Sequence, residues 1–240
     1  MSDAREVGRT TGDGGLDRRS FLGVVPLAAA ALAGLRQAGF PAARASSPGP
    51  LNAIGVQLYT VRQFMARDVE GALAEIAEIG FREVELWRLH GLTALEMRAV
   101  LDGLELEAVS SHDSLDVIRG EWSRRLDEAV QLGQTYLVCP SIPHDERTLD
   151  GYRRIADDFN VAGEAAHAMG MRLGYHNHDH EFAAIDGVVP YDLLLERCDP
   201  RFVDMPAAIF ARAEQAGIRH AFVEHDRPND PMESVRVGFN

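Results

Sequence analysis

Met171-Arg172-Leu173-Gly174-Tyr175-His176-Asn177-His178-Asp179-His180-Glu181 is an apolar run that ends in a dense cluster of polar side chains. From His176 to Glu181, every side chain except Asn177 can bind a divalent cation, and all can hydrogen-bond a polyhydroxylated ligand. Imidazole suits zinc, manganese or iron, and carboxylate suits harder ions. A strand that ends this way, at the mouth of a parallel barrel, is where metal-assisted chemistry would be built. The plain alternative is a hydrated, histidine-rich turn, because one His-x-His is a weak metal signal.

Outward from this run, short strand-like stretches alternate with longer helical ones. Strands are expected at Ile54 to Tyr59, Val84 to Trp87, Leu106 to Ser110, Tyr136 to Cys139, Arg172 to His176, Phe202 to Met205 and His220 to Glu224. Helices are expected at Val69 to Ile79, Ala94 to Leu101, Trp122 to Leu132, Tyr152 to Met169, Tyr191 to Arg197 and Pro206 to Ala216. Gly80, Gly133, Gly170 and Gly217 stand as helix stops. Repeated strand–helix units imply a parallel sheet with helices outside. Arg124, Arg125, Asp127 and Glu128, like Arg153, Arg154, Asp157 and Asp158, fall within helices and read as solvated faces.

Strand parity narrows the fold, since successive strand residues face opposite ways. Gln57 and Tyr59 share a face with Gly55, Glu85 with Trp87, Ser110 with His112, His176 with Gly174, and Glu224 with Phe222. Each polar side chain falls at or near the C-terminal end of its strand. That end carries the site in a parallel barrel, whose one sheet face points inward. A Rossmann-type sheet would want a glycine-rich turn after the first strand, and Tyr59-Thr60-Val61-Arg62 has no Gly-x-Gly. A TIM-type barrel is therefore the expected α/β architecture.

Residues 1–45 read as a removable export signal and 46–240 as the folded domain. Asp17-Arg18-Arg19-Ser20-Phe21-Leu22-Gly23 precedes an Ala-rich apolar stretch, Val24 to Leu35, and the small-x-small sequence Ala43-Arg44-Ala45. The apolar stretch is shorter than an ordinary span of ~20 residues, so no stable membrane span is expected after cleavage. The order resembles a twin-arginine translocation signal, in which Lys often follows the Leu; Gly23 stands there instead. That route carries folded proteins, often with cofactor loaded. The expected location is periplasmic or extracellular. Ser46-Ser47-Pro48-Gly49-Pro50 reads as a flexible lead-in.

The formal net charge of −13 would repel phosphate backbones and argues against nucleic acid as a partner. All 24 basic residues are Arg. Without Lys, Schiff-base aldolase chemistry, a pyridoxal phosphate linkage and a Walker A loop are excluded. Cys139 and Cys198 stand far apart with no CxxC partner, and a structural zinc site built on them is not expected. Export would permit a disulfide, but Cys139 sits in an apolar run that suits a buried free thiol.

Gly55-Val56-Gln57-Leu58-Tyr59-Thr60-Val61-Arg62 resembles the opening strand of the sugar phosphate isomerase/epimerase family, which has the xylose isomerase-like TIM barrel. Val84-Glu85-Leu86-Trp87, Ser111-His112, the run from Gly174 to Phe182, and Phe222-Val223-Glu224-His225-Asp226 are similar to its later strand ends. In that family one divalent ion typically sits at the barrel mouth, held by an acid after strand five, Asp after strand six, His after strand seven and Glu after strand eight. By resemblance Glu224 matches the last of these, His176 stands where many members have Glu, and His178 matches a nearby family His. The family runs on from a stretch like Arg201-Phe202-Val203-Asp204-Met205 through the Asp- and His-bearing strands, whereas Met205 here is followed directly by Pro206. Against the family, roughly fifty to sixty residues, about two strand–helix units, are expected to be absent. The expected architecture is then an incomplete (β/α)8 barrel of about six to seven strands, which closes less readily than eight. Asp204 is a carboxylate that could substitute for a missing ligand, though its neighbours do not match the missing motif.

The candidate catalytic residues are Glu224 and His176, which are also the candidate ligands of a divalent ion (Mn, Mg, Zn or Co). Gln57, Tyr59, Glu85, Trp87, His112, Asn177 and His178 are candidate contacts to a small carbohydrate, with Tyr59 and Trp87 as stacking walls. His180, Glu181 and His225 are expected to be ordinary loop residues. The implied reaction is isomerisation or epimerisation through proton removal beside a carbonyl. A vestigial carbohydrate-binding barrel, and a metal-dependent lyase or hydrolase such as the endonuclease branch of the same superfamily, are the alternatives. A homo-oligomer, with a partner subunit completing the site, is left open.

Overall fold

A computed structural model of the chain describes residues 54–205 and 220–239. The export signal, the lead-in and the helix from Pro206 to Ala216 lie outside these residues. The strands are β1 (Gly55–Gln57), β2 (Glu83–Leu86), β3 (Glu107–His112), β4 (Tyr136–Cys139), β5 (Arg172–Tyr175), β6 (Val203–Asp204) and β7 (Phe222–Val223). The helices are α1 (Arg62–Met65), α2 (Val69–Ile79), α3 (Ala94–Gly103), α4 (Leu115–Gly120), α5 (Trp122–Leu132), α6 (Leu149–Ala168), α7 (Pro190–Arg197) and α8 (Pro231–Phe239). No helix of the described residues is long and apolar enough to cross a membrane.

All seven strands join one parallel sheet in the order β6-β5-β4-β3-β2-β1-β7. The last strand lies beside the first, with Gly55 opposite Phe222 and Val56 opposite Val223. That is how a barrel returns to its start. Among the described residues β6 and β7 each pair with one neighbour, so this is an incomplete (β/α)8 barrel.

Parity sorts the sheet's two faces. Val56, Val84 and Leu86 point outward to Leu73 and Ile76 of α2 and Met97 and Leu101 of α3 in one core. Leu173, Tyr175 and Val203 meet Tyr152, Ile155 and Phe159 of α6 and Leu194 of α7 in a second. Each such side chain withdrawn from water contributes roughly 1.5–3 kcal/mol. The helices begin where side chains satisfy their free N–H groups: Asp68 accepts from Gly71 at α2, and Thr93 and Glu96 form a reciprocal capping box at α3. Gly133 ends α5 in the left-handed region at φ 75°, which costs a glycine little. Gly163 lets α6 approach β6, because a Cβ there would lie 3.0 Å from the Phe202 carbonyl oxygen.

The structure differs from the sequence expectations in its extra helices and in Arg125, and it adds a strand irregularity that the sequence does not show. Helices α1, α4 and α8 were not expected; the first two are too short to show a clear period. Strand β2 shifts register against β3 between Val84 and Glu85, so that Glu85 stands opposite Ser110 rather than Val109. Arg125 does not belong to a solvated face. It is buried, with Nε 2.5 Å from Asp113 Oδ1 and Nη2 donating to Ser111 and Gln134, whereas neighbouring Arg124 pairs with Glu121 and Glu128 at the surface. Cys139 and Cys198 are free and buried, and burial pushes both thiols up to about 12.

Removing one partner of a buried ion pair leaves the other charge uncompensated. Arg125→Ala is therefore expected to destabilise the fold by about 3–5 kcal/mol in urea unfolding. Arg153→Ala, which breaks an exposed pair with Asp150, is expected to cost less than about 1 kcal/mol. Equal losses would show that the buried pair carries no special weight.

Candidate active site at the carboxyl ends of the strands

The inward residues of β1, β2 and β3 form one lateral layer. Gln57 is the register partner of Glu85, and Glu85 of Ser110. The Ser110 hydroxyl donates to Glu85 Oε2 at 2.6 Å, and Gln57 Nε2 donates to Oε1 at 3.3 Å. His112 places Nε2 3.0 Å from Glu85 Oε1, and its Nδ1 lies 2.9 Å from Gln57 Nε2. The Tyr59 backbone N–H donates to Gln57 Oε1, which fixes the amide so that its NH2 group faces His112. Gln57, Glu85 and His112 thus lie within one polar cluster that Ser110 and the Tyr59 N–H complete. Burial raises the Glu85 carboxyl, but its bond to His112, the imidazole charge and Ser110 outweigh this and bring it below its ordinary value. Burial likewise opposes a charge on His112, while Glu85 and Glu224 draw its titration upward.

Above this floor opens a pocket of about 540 Å³ lined by His176, His178, Glu224, His225, Asp226 and Arg227. His176 leaves β5 and Glu224 leaves β7, and they face each other with Nδ1 3.7 Å from Oε2. Burial, with the neighbouring imidazoles of His112 and His178, lowers the pKa of His176. Burial raises that of Glu224, aided by the Glu85 and Asp226 charges and opposed by His112. The imidazole is therefore held toward its neutral form, able to accept a proton or a cation.

The loop that carries Glu224 is tied back to the first strand's loop. Arg62 donates from Nη1 to the Tyr59 carbonyl and from Nη2 to the Asp226 carbonyl, and the His225 N–H donates to Thr60 Oγ1 at 2.9 Å. Thr60 and Arg62 were not singled out as site residues, although both lie in the opening stretch Gly55 to Arg62. Tyr59 and Trp87 pack edge to face with centroids 5.1 Å apart, and Arg62 and Arg88 each lie 4.2 Å over one of the two rings. The Trp87 indole N–H is buried without a hydrogen-bond partner. Asn177 is half-buried between His176 and His178.

Two sequence expectations need correction. Asp204 is not a spare ligand in the pocket, because the Arg172 guanidinium engages both of its oxygens, at 2.5 and 2.7 Å. His180 and Glu181 are not ordinary loop residues. Glu181 is fully buried and accepts from the Tyr175 hydroxyl, while its other oxygen accepts from the His178 N–H at 2.7 Å. The His180 Nε2 lies 2.6 Å from Glu181 Oε1. One donor atom from each of His178, His180 and Glu181 falls within 4.8 Å of the others, a possible His/Glu metal group. The clue in the sequence was the spacing of His178, His180 and Glu181 on a single short turn.

No family model and no curated protein sequence matches the chain. Solved structures do. A sugar phosphate isomerase/epimerase from Parabacteroides distasonis superposes with a TM-score of 0.64 at 20% identity, over 82% of this chain and 96% of that one. Another from the same organism gives 0.65 at 21% identity, over 76% and 94%. An AP endonuclease of family 2 from Brucella melitensis gives 0.57 at 13% identity, over 76% and 96%. At such identities the likeness is one of fold: the chain shares the TIM-barrel architecture of these enzymes.

Proposed function

We propose that this chain is a metal-dependent isomerase or epimerase that acts on a sugar or keto-sugar by removing a proton next to a carbonyl. The observation that carries this reading is the His176–Glu224 pair, 3.7 Å apart across the pocket mouth at the ends of β5 and β7. The pair fits a divalent ion. Two ligands each ~2.1 Å from one ion stand roughly 3–3.5 Å apart, so a shift of a few tenths of an ångström suffices. One imidazole and one carboxylate suit Mn, Zn or Co, and Mg less well. Bound there, such an ion would polarise a carbonyl and the adjacent hydroxyl and acidify the C–H between them.

The chain's own groups then handle the proton. Glu224 keeps Oε1 free to accept a proton, whereas a neutral His176 that turns its Nδ1 lone pair to the ion would carry its proton on Nε2 and could only donate from there. The C–H proton passes to Glu224 Oε1, and the electron pair left behind delocalises as an enediolate. Delivery of a proton to the opposite face of the same carbon, from the His176 Nε2–H or from solvent, gives the epimer, and the proton on Glu224 leaves to solvent. Return from Glu224 to the neighbouring carbon, with the hydroxyl proton moving to the former carbonyl oxygen, gives the isomer. Glu85, His112 and Gln57 hold the floor of the site and keep its charge fixed, since their polar atoms are already engaged. Asn177 and His178 stand beside the pair to meet hydroxyl groups, and Tyr59 and Trp87 offer an aromatic wall to a sugar ring. The AP endonuclease fold does not favour a nuclease here, because a net charge of −13 opposes a phosphate backbone. Export to the periplasm or beyond, as the first 45 residues suggest, would place the reaction on sugars outside the cytoplasm.

The test is turnover of a panel of ketoses and keto-sugars with Mn, Co, Zn or Mg supplied. Glu224→Gln is expected to lower kcat/KM by about 10²–10⁴-fold, the usual worth of a positioned acid–base group. Chelation is expected to abolish turnover and added metal to restore it. Full activity in Glu224→Gln would defeat the reading, and absence of turnover on every sugar would favour a carbohydrate-binding barrel without catalysis. Trp87→Ala is expected to raise KM more than it lowers kcat, as loss of a binding wall should. An equal fall in kcat and kcat/KM would instead place Trp87 in the chemical step.

A further inference from the structure

The proposed chemistry leaves unused His180, Glu181 and the buried Nδ1 of His178 on the turn after β5. His178 and His180 stack with centroids 5.5 Å apart and planes 20° from parallel. The Nδ1 of His178 is closed off from solvent and lacks a hydrogen-bond partner among the described residues, and the Nε2 of His180, equally closed off, faces Glu181 Oε1 at 2.6 Å. A buried polar atom without a partner is costly, so His178 Nδ1, with the second ring stacked beside it, calls for a partner on this turn. Glu181 supplies an anion at the same point, fully buried, with a donor atom inside the 4.8 Å group.

We propose that His178, His180 and Glu181 form a second divalent-cation site, best suited to zinc, separate from the His176–Glu224 pair. Two imidazoles and a carboxylate are a known zinc set, leaving a fourth tetrahedral position for water or a ligand. The outer contacts are those such a site requires. The Tyr175 hydroxyl holds one Glu181 oxygen and the His178 backbone N–H holds the other, which fixes the carboxylate before any ion arrives. The remaining Glu181 charge then offsets part of the cation's charge away from water. An ion here would staple the turn to the end of β5. It would also hold His178, whose ring lines the pocket, in one orientation. This site stands independently of the isomerase reading.

The test uses the full chain, stripped of metal by chelation and titrated with zinc alone, with stoichiometry read by calorimetry and elemental analysis. Two ions are expected per wild-type chain, one in Glu224→Gln and one in His180→Ala. Cobalt bound to Glu224→Gln is expected to show the strong visible bands of a four-coordinate ion, and these should vanish in the Glu224→Gln/His180→Ala double variant. If His180→Ala does not fold, His180→Gln fills similar space without the imidazole. Zinc-edge absorption of Glu224→Gln should also report two imidazole ligands. No ion in Glu224→Gln, undiminished stoichiometry in the His180 variant, or fewer than two imidazoles would overturn the site. If His176 and Glu224 hold no ion, wild type and Glu224→Gln should each bind one and the His180 variant none; failure of the second site would leave the Glu224→Gln kinetics unchanged.

Discussion

A carboxylate buried inside the sheet, that of Glu85, is the constraint on which the rest of the site depends. An ionised acid out of water costs several kcal/mol unless it is paired and hydrogen-bonded. Its partners come from both neighbouring strands: Gln57 from β1, and Ser110 and His112 from β3. Those partners meet it only in one register. The irregularity between Val84 and Glu85 moves β3 along by one residue and brings Ser110, not the apolar Val109, opposite the carboxylate. Without that slip an apolar side chain would face Glu85, and the serine would turn toward the helices. Charge satisfaction and strand register are thus one requirement, and together they set the polar floor beneath the pocket.

The walls follow from the same parallel arrangement. With every strand running in one direction, all carboxyl ends emerge on one side, and the loops that leave them share one mouth. His176 and Glu224 belong to strands far apart in the sequence, yet they face each other because β7 pairs with β1. The Arg62 and Thr60 bonds to the last loop then hold Glu224 in place from the first strand. On the outer side of the sheet Arg125 and Asp113 form a second buried charge pair, with Ser111 and Gln134. Ser110 and Ser111 are adjacent in the chain but serve opposite faces, one the site and the other the helix layer.

Much of this is written locally in the sequence. Two-residue alternation places Gln57, Glu85, Ser110 and His112 on one face, and the helices α2 and α5 fall at the expected bounds because a cap or a C-terminal glycine marks them. What local patterns miss depends on long-range geometry. Arg125 lies in a charged stretch that looks solvated, and its partner Asp113 lies on a different element. The β2–β3 slip leaves no trace in hydrophobicity. Asp204 looks free until Arg172 of the adjacent strand is seen to hold it. Glu181 reads as a loop acid, because the Tyr175 hydroxyl that donates to it ends an apolar strand six residues earlier and no pattern reveals its direction.

The central claim is that this mouth removes a proton beside a carbonyl. Incubation of the metal-loaded chain with candidate keto-sugars in deuterium oxide, read by proton NMR and mass spectrometry, tests it most directly. The account predicts deuterium at the carbon next to the carbonyl, even for a substrate whose net conversion is small. A sugar shown to bind in the pocket that gains no deuterium, with product formed or not, would contradict it.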